Sequence, residues 1–317
     1  MTGAAIGVAG AGAFGVALAV ALARDGTTVR LWGREAGLAA RRESLRLPGV
    51  RLPEAVEVAE NVSALAESGP ILLAMPMQAL RGFLAAEGRD LLASDLVACC
   101  KGIDLETLVG PAEVMQAAGA RGAVAVLTGP SFAADIARGL PTALTLACAG
   151  PQGKALQHAL STAALRLYRT EDVIGAELGG ALKNVIAIAA GVVAGAGLGE
   201  SARAALVTRG YAEMARLAEA MGARPETLAG LSGLGDLILT CTSPQSRNFA
   251  HGAALGAGRV PVAATVEGVA TARAAVRLAA AKKIEVPVAA MVARLVEAEI
   301  GVGEAVTALM SRPLKQE

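Results

Sequence analysis

Apolar residues follow two regimes along this chain. In the first half they come as short runs separated by helical stretches. Residues 5–8, 28–32, 71–75, 96–100, 124–127 and 142–148 read as strands, the third stopped by Pro76. Residues 14–24 read as a helix between the first two. Strands alternating with helices predict a parallel sheet built from βαβ units. The pattern changes near residues 172–178. Beyond that point Ala, Leu, Glu and Arg recur at helical spacing. Residues 202–221 (closed by Gly222), 268–283 and 288–299 predict helices, with no comparable strand among them. The expected fold is α/β, with an N-terminal domain over residues 1–178 and an all-α domain over residues 179–317. No internal repeat, long linker or low-complexity tail interrupts it.

The first strand runs into Gly10-Ala11-Gly12-Ala13-Phe14-Gly15, which opens the first helix. In that context Gly-x-Gly-x-x-Gly is a dinucleotide-binding pattern. Gly10 permits the tight turn, Gly12 lets the backbone approach a pyrophosphate, and Gly15 lets helix and strand pack closely. The free N–H groups of the helix then face the phosphates. A tight βα turn without a ligand would carry the same glycines. The N-terminal domain is therefore expected to be of the Rossmann type. The second strand ends Leu31-Trp32-Gly33-Arg34-Glu35. An NAD site commonly places an acid here for the ribose 2′-hydroxyl, whereas Arg34 suits the 2′-phosphate of NADPH. Glu35 beside it keeps NADH in play, and a solvated surface Arg is the bland alternative.

Composition narrows the classes. A chain of 317 residues fits about two domains. Apolar residues make up 54% but aromatics only 2%, so the core must pack on Ala, Val and Leu. Net charge is +1 with mixed signs, and no basic block forms a nucleic-acid footprint. Mean hydropathy is positive, yet the longest apolar run, 185–198, falls short of the roughly 20 residues of a membrane span. It also holds Gly191, Gly195 and Gly197, and reads as a buried helix. Met1-Thr2-Gly3-Ala4 leads into the first strand without a basic leader, which predicts no signal peptide. Cys99, Cys100, Cys148 and Cys241 form no Cys-x-x-Cys pair, and there are only two histidines, His158 and His251. No metal centre is expected, and reduced thiols fit a cytoplasmic protein.

One polar pair interrupts the most apolar part of the chain, Lys183-Asn184 within Gly179-Gly180-Ala181-Leu182-Lys183-Asn184-Val185. Lys is seldom buried without a reason, and a buried ammonium shifts its pKa readily. Lys183 is thus a candidate proton donor, its structural alternative being a lysine that snorkels from a helix. Other polar clusters are Lys101-Gly102, Gly129-Pro130-Ser131, Gly235-Asp236 and Ser246-Arg247-Asn248. The last suits an anion, although Ser and Asn also cap helices. Asp236 could likewise be a cap, and Lys101 a loop cation.

Together, in order and spacing, these blocks resemble the bacterial NAD(P)-dependent sn-glycerol-3-phosphate dehydrogenases. The likeness spans nearly the whole chain: residues 10–15, 47–49, 101–102, 129–133, 175–184, 206–210, 230–237, 240–243, 246–248 and 266–268. It implies hydride transfer from NADPH or NADH to C2 of dihydroxyacetone phosphate, giving sn-glycerol 3-phosphate for phospholipid synthesis. It implies Lys183 as general acid and base, with Asp236, Lys101 and Asn184 completing the pocket. Gly129, Ser131, Ser246, Arg247 and Asn248 would contact substrate. Ala13, Phe14, Arg34, Lys101, Ala133, Arg247 and Glu267 would contact the cofactor. A homodimer is implied as well. Ala13, Phe14, Met77-Gln78 and Ser201 depart from the usual pattern. Rival readings are a 3-hydroxyacid or 6-phosphogluconate-type dehydrogenase and a non-catalytic NADPH-binding sensor.

Overall fold

The computed structural model describes residues 5–262 and 265–310. Residues 1–4, on which the reading of the leader rests, lie outside them. Eight strands form one sheet: β1 (Ile6–Ala9), β2 (Val29–Trp32), β3 (Val56–Val58), β4 (Ile71–Leu73), β5 (Leu96–Ala98), β6 (Val124–Thr128), β7 (Thr142–Ala147) and β8 (Leu165–Thr170), in the order β3-β2-β1-β4-β5-β6-β7-β8. The six expected strands are present. β3 and β8 were not expected, and both lie at the sheet edges. Central strands are buried on both faces, so successive residues are apolar. Leu72 and Val97 point to one core, while Ile71, Leu73, Leu96 and Ala98 point to the other.

The sheet is not wholly parallel, because β7 runs antiparallel to β6. The helix between them spans six residues, and the chain then re-enters the sheet from the opposite end. Helices α1 (Ala13–Arg24), α2 (Leu38–Arg41), α3 (Met77–Ala85), α4 (Pro111–Ala117), α5 (Ala133–Arg138) and α6 (Gly153–Leu160) accompany the strands. α1, α5 and α6 bury residues in one core, and α3 and α4 in the other. This is a Rossmann-like arrangement, with the turn after β1 lying where strand order reverses.

The remainder is helical: α7 (Val173–Gly195), α8 (Glu200–Ala220), α9 (Pro225–Ala229), a π-helical turn (Leu231–Gly235), α10 (Asp236–Thr242), α11 (Arg247–Gly256), α12 (Glu267–Lys282), α13 (Pro287–Val296) and α14 (Val302–Met310). Among the described residues no strand follows β8. α7 is long and apolar enough to cross a membrane, but 89% of its apolar window is buried inside the protein, wrapped by the other helices.

The glycines of α7 have a specific use. A Cβ on Gly191 would lie 2.1 Å from Phe249 O, and one on Gly195 2.1 Å from Ala253 O. Reciprocally, a Cβ on Gly252 of α11 would lie 2.0 Å from Ile188 O, and one on Gly256 2.2 Å from Val192 O. The two helices thus run parallel with backbone against backbone, which no side chain can enter. Gly252→Ala tests this contact. Helix propensity favours the change by about 1 kcal/mol, but the obstacle is a rigid carbonyl. Overpacking of about 2–3 kcal/mol is expected to win, read as a lower urea midpoint with unchanged slope.

Candidate functional site

The turn after β1 fits the dinucleotide pattern atom by atom. A Cβ on Gly10 would strike Ala74 O at 2.5 Å, and one on Gly15 would strike Gly10 O at 1.9 Å. A Cβ on Gly12 would meet nothing within 4 Å, so this residue faces open space. Gly12 is also the N-cap of α1, with no side chain capping the helix. The first-turn N–H groups are thus left for an anion. Ala13, Phe14 and Ala133 pack against the same apolar core, where α1 meets α5. Arg34 lies past the end of β2, exposed, and makes no ion pair among the described residues. Glu35 is turned away into the following loop, where its carboxylate pairs with Arg41.

The centre of the second site is Asp236, the first residue of α10 and fully buried. Lys183 Nζ donates to Asp236 Oδ1 at 2.6 Å, and Lys101 Nζ donates to Oδ2 at 2.5 Å. Lys183 comes from the middle of α7, while Lys101 follows β5. One carboxylate therefore joins the sheet to the helices. Asp236 caps no helix: the N-cap of α10 is Gly235, and the Asp236 oxygens face the two lysines. Lys183 is 6% exposed, so it does not snorkel. Burial brings its ammonium down to about 8, opposed by the Asp236 charge and helped by the Lys101 charge. Lys101 Nζ also donates to Gly129 O at 3.0 Å, and Ser131 Oγ donates to the same carbonyl at 3.2 Å.

Thr240 joins this group, and its part was not read from the sequence. Its hydroxyl accepts from Lys183 Nζ at 2.7 Å and lies 3.3 Å from Asp236 Oδ1. The available signal was its spacing: four residues beyond Asp236, it shares one helix face. Thr128 was also missed. Its Oγ1 is buried without a hydrogen-bond partner, and a Cβ on Gly180 would lie 2.5 Å from it.

A chain of amides extends the site. Asn248 Nδ2 donates to Asn184 Oδ1 at 2.8 Å, and Asn248 Oδ1 accepts from Gly268 N at 3.0 Å. A single side chain so ties α7, α11 and α12 together. Ser246 Oγ accepts from Phe249 N at 3.2 Å and caps α11. Arg247 opens α11 and is exposed, while Glu267 opens α12. Burial raises the Glu267 carboxyl, with Arg247, Lys101 and Lys183 pulling the other way. Three cations thus face two carboxylates next to the N-terminus of α11, a setting that favours an anion. His158 and His251 take no part; burial lowers the His251 imidazole, whose Nδ1 has no partner.

Comparison with known proteins identifies the family. The family described as NAD-dependent glycerol-3-phosphate dehydrogenase N-terminus matches residues 5–154, and its C-terminus counterpart matches residues 172–307. Glycerol-3-phosphate dehydrogenase [NAD(P)+] of Cereibacter sphaeroides is 62% identical over 98% of this chain and 100% of its own length. The protein of the same name from Paracoccus denitrificans is 60% identical over 98% of this chain and 99% of its own. The crystal structure of glycerol-3-phosphate dehydrogenase from Coxiella burnetii superposes with a TM-score of 0.93 at 36% identity, covering 98% of this chain and 100% of that one. The chain belongs to the NAD-dependent glycerol-3-phosphate dehydrogenase family.

Proposed function

We propose that this chain catalyses reversible reduction of dihydroxyacetone phosphate at C2 to sn-glycerol 3-phosphate, with Lys183 as general acid and base. The observation that carries this reading is the shared Asp236 carboxylate. It holds two lysines in place, one of them a buried ammonium that burial brings down to about 8 against the pull of that carboxylate. When bound at the turn after β1, NAD(P)H supplies the hydride.

An ammonium has three donors. Lys183 gives two, to Asp236 and Thr240, which leaves the third for the C2 oxygen. As negative charge grows on that oxygen, Lys183 stabilises it and releases its proton to it. In the reverse direction the neutral amine accepts the hydroxyl proton. Asp236 keeps Lys183 oriented and offsets part of its burial cost. Lys101 likewise has one donor left for the substrate. Arg247 and the capped N-terminus of α11 hold the phosphate, so binding energy far from C2 positions the reacting carbon. The product is the backbone that phospholipid synthesis consumes.

The direct test is NADPH oxidation with dihydroxyacetone phosphate beside unphosphorylated dihydroxyacetone. Fast turnover only with the phosphate ester is expected, and equal rates would end the reading. Lys183→Ala should lower kcat about a thousandfold with dinucleotide affinity retained, as followed by nicotinamide fluorescence. Arg247→Ala should raise KM for the phosphate ester roughly tenfold or more with a smaller change in kcat.

The sign of the pH dependence follows from Lys183. Ketone reduction needs its ammonium form, so kcat should fall as pH rises through about 8. Alcohol oxidation needs the amine and should rise through the same range. Lys101→Met removes a neighbouring positive charge and leaves Asp236 to Lys183 alone, so both inflections should move to higher pH. Rate profiles in the two directions check this.

A further inference from the structure

The turn after β2 holds a second feature that bears on which dinucleotide binds. An acid immediately after β2 would occupy Gly33. A Cβ there would lie 2.3 Å from Ala11 Cβ and 2.7 Å from Ala11 N, within the glycine-rich turn. The packing of that turn therefore bars an acidic side chain at this position. Glu35 is the carboxylate that remains nearby, and it is already engaged. Its Oε1 accepts from Arg41 Nη2 at 2.5 Å and from Leu45 N at 3.0 Å, and its Oε2 accepts from Ser44 Oγ at 2.8 Å. The Glu35 side chain is 14% exposed and Ser44 is fully buried. Arg41 also donates through Nη1 to Ala36 O at 2.9 Å, which folds its guanidinium over the turn. Ser44 Oγ sits 3.5 Å from Ala11 O, so the network adjoins the glycine-rich turn. Burial pushes the Glu35 carboxyl up, but the Leu45 N–H, the Ser44 hydroxyl and Arg41 outweigh it and hold it below its ordinary value.

A carboxylate at this place favours NADH in two ways: it accepts from the ribose hydroxyls and it repels a 2′-phosphate. Both effects need lone pairs and charge that are free to act. In this turn three fixed donors occupy most of the acceptor sites of Glu35, and the Arg41 guanidinium offsets the charge. Arg34, exposed and without an ion pair among the described residues, is the group left to act. We propose that Arg41 and Ser44 are specificity-determining residues, which sequester Glu35 and so open the site to the 2′-phosphate of NADPH. This rests on the reading that the turn after β1 holds a nicotinamide dinucleotide.

The test is equilibrium binding to the full-length protein, with no substrate present. NADPH and NADH are titrated separately by calorimetry against the parent, Arg41→Ala, Ser44→Ala, Glu35→Gln and the Arg41→Ala/Glu35→Gln pair. Arg41→Ala should lower the ratio of NADPH to NADH affinity roughly tenfold, with tighter NADH binding as well as weaker NADPH binding. Ser44→Ala should shift the ratio in the same direction. It replaces one small buried hydroxyl, and it decides the matter if the Arg41 variant does not fold. In the Glu35→Gln background, Arg41→Ala should no longer tighten NADH. Loss of NADPH affinity that is equal with and without Glu35, and unchanged NADH affinity, would make Arg41 a direct phosphate contact and overturn the proposal. An unchanged ratio in both single variants would overturn it too. Arg34→Ala keeps the two readings apart. If it leaves the ratio fixed while Arg41→Ala moves it, Arg34 loses its role and the sequestered carboxylate stands. If neither dinucleotide binds the parent, the dinucleotide site itself fails.

Discussion

The contact between α7 and α11 is the closest backbone approach in the helical half and fixes where the first turn of α11 lies. The two helices run parallel, and along one row of contacts, 64 residues apart in sequence, Asn184 meets Asn248, Ile188 meets Gly252 and Val192 meets Gly256. Glycine on both sides allows carbonyl and Cα to touch, and the register admits no slip without a clash. The same offset brings the first turn of α11, with Ser246, Arg247 and Asn248, beside the turn of α7 that carries Lys183. A chain with 2% aromatic residues suits such packing, since it depends on the absence of side chains. The Asn184–Asn248–Gly268 chain of hydrogen bonds then fixes α12 to the same pair.

Within that frame the electrostatics are demanding. Two ammoniums taken out of water cost several kcal/mol each unless they are paired and hydrogen-bonded. A single carboxylate serves both, with Thr240 Oγ1 and Gly129 O taking further protons. The balance remains positive, a setting that favours an anion. Burial is also what brings the Lys183 ammonium down to about 8.

Much of this was legible in the sequence, for physical reasons. Strands buried on both faces leave continuous apolar runs, and β1, β4 and β5 stand out that way, with β6 and β7 close to it. β8, Leu165-Arg166-Leu167-Tyr168-Arg169-Thr170, buries alternate residues only and sits at an edge, so its apolar signal is diluted. β3 is three residues long and includes the exposed Glu57. Strand direction leaves no mark in composition, which hid the antiparallel β7. Lys183 and Asn184 were visible because polar residues in an apolar run require an explanation. The engagement of Glu35 was not visible. Its partners lie six and nine residues away in a polar loop, and spacing alone does not tell which way the side chain turns.

The contact between Lys101 and Asp236 bears on how such proteins can be assembled from parts. A dinucleotide-binding sheet is often thought of as an exchangeable cassette, with the chemistry housed elsewhere. In this molecule the cassette contributes a cation, Lys101, to the buried Asp236 carboxylate. Grafting a different sheet onto α7 to α14 would keep a cofactor cradle, yet leave Asp236 with one lysine instead of two. Lys183 would then hold its proton more tightly, although none of its own helices had changed. The Lys101–Asp236 pair thus couples the sheet to the protonation of a lysine on α7.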